Sequence, residues 1–242
     1  MIANVHSIDT FSILDGPGIR YVLFLQGCNI LCKYCHNVDT TVKCENKLMS
    51  VDEVVENFLR YKDFYADGGI TISGGEPLLQ IDFIISLFKE LKKLNIHTAI
   101  ETQGTLFKDN EKFSELIALT DLFIIDLKGV DNEEARKISG VKIDNTFKLL
   151  DKLDKENKKF WLTYVLIPGI NNLDIHAMKL AKILKQYSPS NCTFKALKYH
   201  KLGLEKWEKL GLKNELIDVP IATNTDINNF LTKIKENMEN LA

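Results

Sequence analysis

The chain has 242 residues, of which 45% are hydrophobic and 26% charged, with a formal net charge of −2. That length suffices for one sizeable core without disulfide staples, and the near-neutral charge gives no general pull toward nucleic acid or an anionic membrane. No apolar run approaches the ~20 residues that a membrane span needs, and the start, Met1-Ile2-Ala3-Asn4-Val5-His6-Ser7, lacks the cationic and apolar regions of a signal peptide. A cytosolic protein is expected.

In chain order, short β-rich runs alternate with segments of helical period. Strands are predicted at Tyr21–Leu25, Gly69–Ile72, His97–Glu101, Leu122–Asp126, Phe160–Leu166 and Thr193–Lys198. Helices are predicted at Val51–Tyr61, Ile81–Leu94, Glu111–Leu119, Thr146–Lys155, His176–Gln186 and, last, Asp226–Met238. Ser50 with Glu53 reads as a capping box, and Asp226 as an N-cap. Strand–helix alternation implies parallel strands. Six units fall short of the eight of a closed barrel, so the fold class is α/β, a partial (β/α)6 TIM-like barrel. Residues 1–242 read as a single domain without a linker or low-complexity segment.

The unusual residues follow the strands. Gly27-Cys28 follows the first, Ser73-Gly74-Gly75-Glu76-Pro77 the second, and Pro168-Gly169 the fifth. Glu101-Thr102 ends the third, Asp126-Leu127-Lys128 ends the fourth, and Tyr199-His200 follows the sixth. In parallel architectures the carboxyl ends of the strands gather the active site.

Of five cysteines, three lie close together in Cys28-Asn29-Ile30-Leu31-Cys32-Lys33-Tyr34-Cys35. Thiolates this near in sequence can wrap an inorganic core, and a closed [4Fe–4S] site takes four. Three leave one iron open, as catalytic zinc sites keep one position free. Spacing alone also admits a zinc site completed by His36 or Cys44, although no second ligand pair appears, and it admits inert thiols. Cys44 and Cys192 read as ordinary small hydrophobes.

These residues carry a resemblance. CNILCKYC, with its aromatic Tyr34, is similar to the CxxxCxxC signature of the radical S-adenosylmethionine (SAM) superfamily. Asp15-Gly16-Pro17-Gly18-Ile19-Arg20, Cys35-His36-Asn37 and Tyr199-His200-Lys201-Leu202-Gly203 narrow the likeness to the glycyl-radical-enzyme activases, from about His6 to about Leu212. The resemblance implies a [4Fe–4S] cluster on Cys28, Cys32 and Cys35. It implies SAM contacts from Tyr34, Cys35, His36, Gly74, Gly75, Glu76, Asp126, Leu127, Lys128 and His200. It implies Asp15 close to the partner's glycine, with Lys128 also in the catalytic set, and a monovalent cation on Glu101, Thr102 and Asp126. The implied partner is a glycyl radical enzyme, pyruvate formate-lyase above all, with reduced flavodoxin or ferredoxin as electron donor. The alternatives are a SAM-cleaving enzyme acting on a small molecule and an activase of a different glycyl radical enzyme.

The chain departs from the familiar activase pattern in Glu101 for aspartate, Ile124 for methionine and Thr163 for arginine. It carries no ferredoxin-like insert between the cysteines and the glycine turn, so one cluster is expected. Arg20 reads as a partner of an acidic site group or of a neighbouring strand. Trp207 reads as support for the partner groove or as packing.

Overall fold

A computed structural model of the chain describes residues 1–65 and 67–240. Eight strands form one sheet in the order β3-β1-β2-β4-β5-β6-β7-β8. Six run parallel: β2 (Arg20–Leu25), β4 (Gly69–Gly74), β5 (Thr98–Thr102), β6 (Leu122–Asp126), β7 (Lys159–Leu166) and β8 (Cys192–Lys198). These are the six strands expected from the sequence, within two residues at each end.

Two strands were not foreseen. β1 (Ile2–Ser12) pairs antiparallel with both β2 and β3 (Lys47–Ser50). Register shifts between Val5 and Ser7 and between Asp9 and Ser12 break the period-2 alternation that would reveal β1. β3 has four residues, too few for a pattern.

The helices are α1 (Val51–Leu59), α2 (Ile81–Lys93), α3 (Glu111–Leu119), α4 (Asn132–Ser139), α5 (Asp144–Lys155), α6 (Asp174–Leu184), α7 (Leu204–Lys209) and α8 (Asn224–Asn240). The Ser50–Glu53 capping box is present in both directions. At α8 the cap differs from expectation. Helix α8 begins at Asn224, and Asp226 lies inside its first turn, where it accepts bonds from the Thr223 amide and hydroxyl while Thr223 Oγ1 accepts from the Asp226 amide. Thr223 therefore does the capping. Helix α4 was missed because its sequence, NEEARKIS, is mostly polar; Asp131 caps it by accepting from the Glu133 and Glu134 amides. No helix among the described residues is long and apolar enough to cross a membrane.

The parallel strands have two unlike faces. Ile70, Ile72, Ile100, Phe123, Ile125, Phe160, Leu162 and Tyr164 pack into one large core with Phe83, Leu87, Phe88, Leu116, Leu149 and Leu153 of the helices. Each such buried side chain contributes roughly 1.5–3 kcal/mol. The alternate residues face the inner side of the curved sheet. There Ala99, Leu122, Ile124 and Trp161 form a separate small cluster, and above it the strands carry Ser73, Glu101, Asp126 and Thr163. The outer layer stabilises the fold, which leaves the inner face free for polar groups.

Candidate active site

The cysteine loop leaves β2 at Gly27, whose φ of +105° lies in the region that favours glycine. Cys32 is buried, Cys28 and Cys35 are half-buried, and all three are free thiols. They lie close enough to feel one another's charge. Burial raises all three thiol pKa values, that of Cys32 to about 12, while the Lys128 ammonium opposes the rise. Thiols in this setting stay protonated until a cation compensates them. Cys44, expected as an ordinary small hydrophobe, is exposed on a separate stretch. Cys192 starts β8, at the opposite end of the strands from the loop.

From Cys28 to Cys35 the backbone bonds within itself through the Cys35 amide to the Cys32 carbonyl at 3.0 Å, and the loop closes through the Gly27 amide to the Thr40 carbonyl at 2.8 Å. Its support comes from far along the chain. Trp207 Nε1 donates to the Cys35 carbonyl at 2.9 Å, and Asn214 Nδ2 donates to the Lys33 carbonyl at 3.1 Å. Lys206 Nζ reaches Asn37 Oδ1 at 3.1 Å and Asp39 Oδ1 at 3.0 Å. The Lys33 amide donates to the Ile138 carbonyl at 2.9 Å. Of these, only Trp207 was singled out from the sequence. The packing alternative holds for it, since its indole is buried and braces a cysteine backbone.

The turn after β4 sits directly beneath this loop. The Glu76 amide donates to the Gly27 carbonyl at 2.8 Å, and a Cβ on Gly75 would stand 2.1 Å from that carbonyl oxygen. Glycine is required at 75 by the chain's own backbone, independently of any ligand. A Cβ on Gly74 would likewise meet Leu25 backbone at 2.3 Å. Glu76 is almost fully buried. Its carboxylate accepts from the Leu78 amide (3.0 Å), Thr102 Oγ1 (2.6 Å) and the Gln103 amide (3.1 Å). Burial raises its pKa against these bonds. The side chain thus stitches β4 to β5.

On the inner face Asp126 and Lys128 form an ion pair, and Lys128 Nζ stands 5.2 Å from the Tyr34 ring centroid. Burial works against the lysine charge, but Asp126, Cys32 and Tyr34 hold its pKa well above the ordinary value. Leu127, between them, turns its side chain into the helix-facing core and donates its amide to the Thr163 carbonyl at 2.9 Å, so only its backbone faces the site. Glu101 accepts from Ser73 Oγ at 2.5 Å; burial first, then the nearby Asp15 charge, pushes its pKa up to about 7.

The three expected cation ligands are engaged separately. Glu101 holds Ser73, Thr102 Oγ1 is shared between Glu76 and the Gly104 amide, and Asp126 holds Lys128. Asp15 accepts from Ser12 Oγ, and its carbonyl accepts from Thr71 Oγ1 at 2.6 Å. Arg20 lies fully buried below it. The guanidinium donates to Thr71 Oγ1 (2.5 Å), the Ile70 carbonyl (2.5 Å) and the Pro17 carbonyl (3.2 Å), which settles it as a partner of strand β4 and of the Asp15 loop.

His36 and His200 stack with ring centroids 3.5 Å apart and planes 19° apart. Burial, then His200, lowers the His36 pKa to about 4, and its buried Nε2 has no protein partner. Tyr34, Cys35, His36, Tyr199, His200, Gly203 and Trp207 line a small cleft beside the loop. Thus Cys28, Cys32, Cys35, Tyr34, Asp126 and Lys128 come together, with Gly74–Glu76 beneath them and His36–His200 at one side.

Residues 22–181 match the radical SAM superfamily. The chain belongs to that superfamily. It is 39% identical over 223 residues to a pyruvate formate-lyase-activating enzyme of Staphylococcus epidermidis, and 37% identical over 223 residues to one of Staphylococcus aureus. Each match covers 89% of this chain and 88% of the relative. Within the superfamily it therefore belongs with the pyruvate formate-lyase-activating enzymes. Solved structures share its fold. A domain of such an enzyme from Bacteroides vulgatus superposes with a TM-score of 0.57 at 21% identity, covering 70% of this chain and 94% of that one. Streptococcus suis SuiB bound to its precursor peptide gives 0.65 at 17% identity, covering 96% and 48%.

A radical SAM protein of this family uses a [4Fe–4S] cluster and SAM. The donor set here suits the cluster. Three soft sulfur donors share one loop, and the two remaining cysteines lie away from it. Among the described residues no three His, Cys, Asp or Glu side chains gather as ligands of one metal ion.

Proposed function

We propose that this radical SAM protein activates a glycyl radical enzyme, pyruvate formate-lyase above all, and that Cys28, Cys32 and Cys35 hold its cluster. The observation that carries the reading is the set of three free thiols on one loop, each near enough to feel another's charge, at the rim of a polar-lined half-barrel. Cys28, Cys32 and Cys35 would hold the cluster, which with SAM and one electron from a reduced flavodoxin or ferredoxin would supply reductive cleavage of the sulfonium bond and hydrogen abstraction from the partner's glycine.

The protein's contribution is placement and exclusion of water. The Gly75 amide is already bonded to the Leu25 carbonyl and the Glu76 amide to the Gly27 carbonyl, so the carbonyl oxygens of the Gly74–Gly75 turn would receive the methionine amino group, with Glu76 fixing that turn. Asp126 presents a carboxylate on the inner face, kept in place by Lys128. The flat faces of His36 and His200 suit a purine ring. Asp15 and Glu101 line the inner face at the depth where the partner's glycine loop would enter.

The test is anaerobic. Reconstituted and reduced protein should form 5′-deoxyadenosine from SAM, and adding pyruvate formate-lyase should produce a glycyl radical by electron paramagnetic resonance. An intact reduced cluster that yields no deoxyadenosine would overturn the reading. Deoxyadenosine without a radical on pyruvate formate-lyase would overturn the choice of partner alone.

A further inference from the structure

The inner face of the half-barrel carries one ammonium for which none of the roles above accounts. Phe194 and Cys192 of β8 pack toward the helix-facing core, so the alternate residues Thr193, Lys195 and Leu197 face inward. Register places Lys195 beside Thr163, which in turn lies beside Asp126. Lys195 is therefore rooted at the level of the site. Its ammonium lies 3.0 Å from the centroid of the Trp161 ring, which belongs to the inner apolar cluster. Burial lowers its pKa. Among the described residues no charged group contributes to that shift, and burial is its one cause.

The other polar groups at that level are committed. Lys128 is paired with Asp126, and Thr163 Oγ1 lies within bonding distance of the Ile125 carbonyl and Asp126. Lys195 is thus an uncommitted cationic donor at this level of the wall. A cation held only by an aromatic face keeps its hydrogen-bonding capacity, because a ring accepts no conventional hydrogen bond. A long flexible lysine can leave such a face for an oxygen acceptor.

We propose that Lys195 binds main-chain carbonyl oxygens of the partner's glycine loop, with Trp161 as its resting place when the partner is absent. The proposal rests on the activase reading above. The carbonyl choice follows from charge. Asp15, Glu101 and Asp126 make the inner wall unfavourable for an acidic peptide, whereas a glycine-centred extended segment offers neutral oxygens.

The test uses Lys195→Met, which keeps an unbranched chain against Trp161 and removes the donor, and Lys195→Arg, which restores a cation. Three readouts are needed: deoxyadenosine formed without partner, the spectroscopic change of the cluster on adding SAM, and the KM and kcat for radical formation on pyruvate formate-lyase. The expected result is a KM for partner raised about tenfold in Lys195→Met, with kcat, partner-free cleavage and the SAM response within about twofold of the parent, and largely recovered KM in Lys195→Arg. An unchanged KM in Lys195→Met overturns the proposal. So does an equal loss in partner-free cleavage, which would make Lys195 a structural part of the SAM site. Failure of the parent protein to cleave SAM at all would instead overturn the activase reading, and this proposal with it.

Discussion

The loop after β2 and the turn after β4 leave the same rim and touch each other, yet they are held in opposite ways. The turn is held by the chain that follows it and by the neighbouring strand β5. Glu76 is satisfied by Leu78, Thr102 and Gln103, and Gly75 fits only because it has no side chain. The cysteine loop is tied down by residues more than a hundred positions away, at Ile138, Lys206, Trp207 and Asn214. A segment that must accept a metal cluster gains from being held by its surroundings, since its own side chains are kept for the ligand. A turn that must present bare backbone gains from being rigid in itself.

The comparison can be sharpened by substitution. The largest effect is expected at the thiols. Alanine at Cys28, Cys32 or Cys35 should abolish cluster-dependent SAM cleavage, and full activity in any one of them would refute the ligand set. Next, Thr102→Val removes a bond to a buried carboxylate in the turn. It should lower stability by about 1–3 kcal/mol in chemical denaturation, and a change below about 0.5 kcal/mol would mean that Glu76 is not the stitch described.

Trp207→Phe should behave differently. It loses one hydrogen bond, about 1 kcal/mol, but acts on the loop, so iron retained after gel filtration should fall more clearly than the melting temperature. Equal iron content in variant and parent would show that the remote brace does not matter. The effect of Glu101→Gln is one that pH switches on. With its carboxyl raised from 4.5 to about 7, ionisation in the folded state is costly. That cost is absent below about pH 4.5, grows up to about pH 7 and stays constant above it. The variant should therefore gain in melting temperature over the parent at pH 8 but not at pH 4.5. A gain of equal size at both values would contradict this. Cys44→Ala and Cys192→Ala should leave iron content unchanged.

The same contrast explains what the sequence made legible. The six parallel strands show as apolar runs because their outer faces must bury Ile70, Ile100, Phe123 and Leu162 against helices. The rim residues stand out because glycine, cysteine and charge are unusual at strand ends. What stayed hidden depends on distant contacts. Nothing local marks Asn214 as a clamp on Lys33, or Lys206 as a clamp on Asp39. The engagement of Glu76 and Thr102 with each other requires knowing that β4 and β5 are neighbours. Lys195 escaped notice because a lone lysine in a strand looks like surface; only the register beside Thr163 and the Trp161 face reveal it. The edge strand β1 was lost to its own bulges.

One measurement bears on the central claim most directly: Mössbauer spectroscopy of the anaerobically reconstituted, iron-57-labelled protein before and after adding SAM. Three protein sulfurs around a four-iron cluster predict one iron whose parameters shift on SAM addition while the other three stay put. Four irons that all remain unchanged, or a single mononuclear iron, would contradict it.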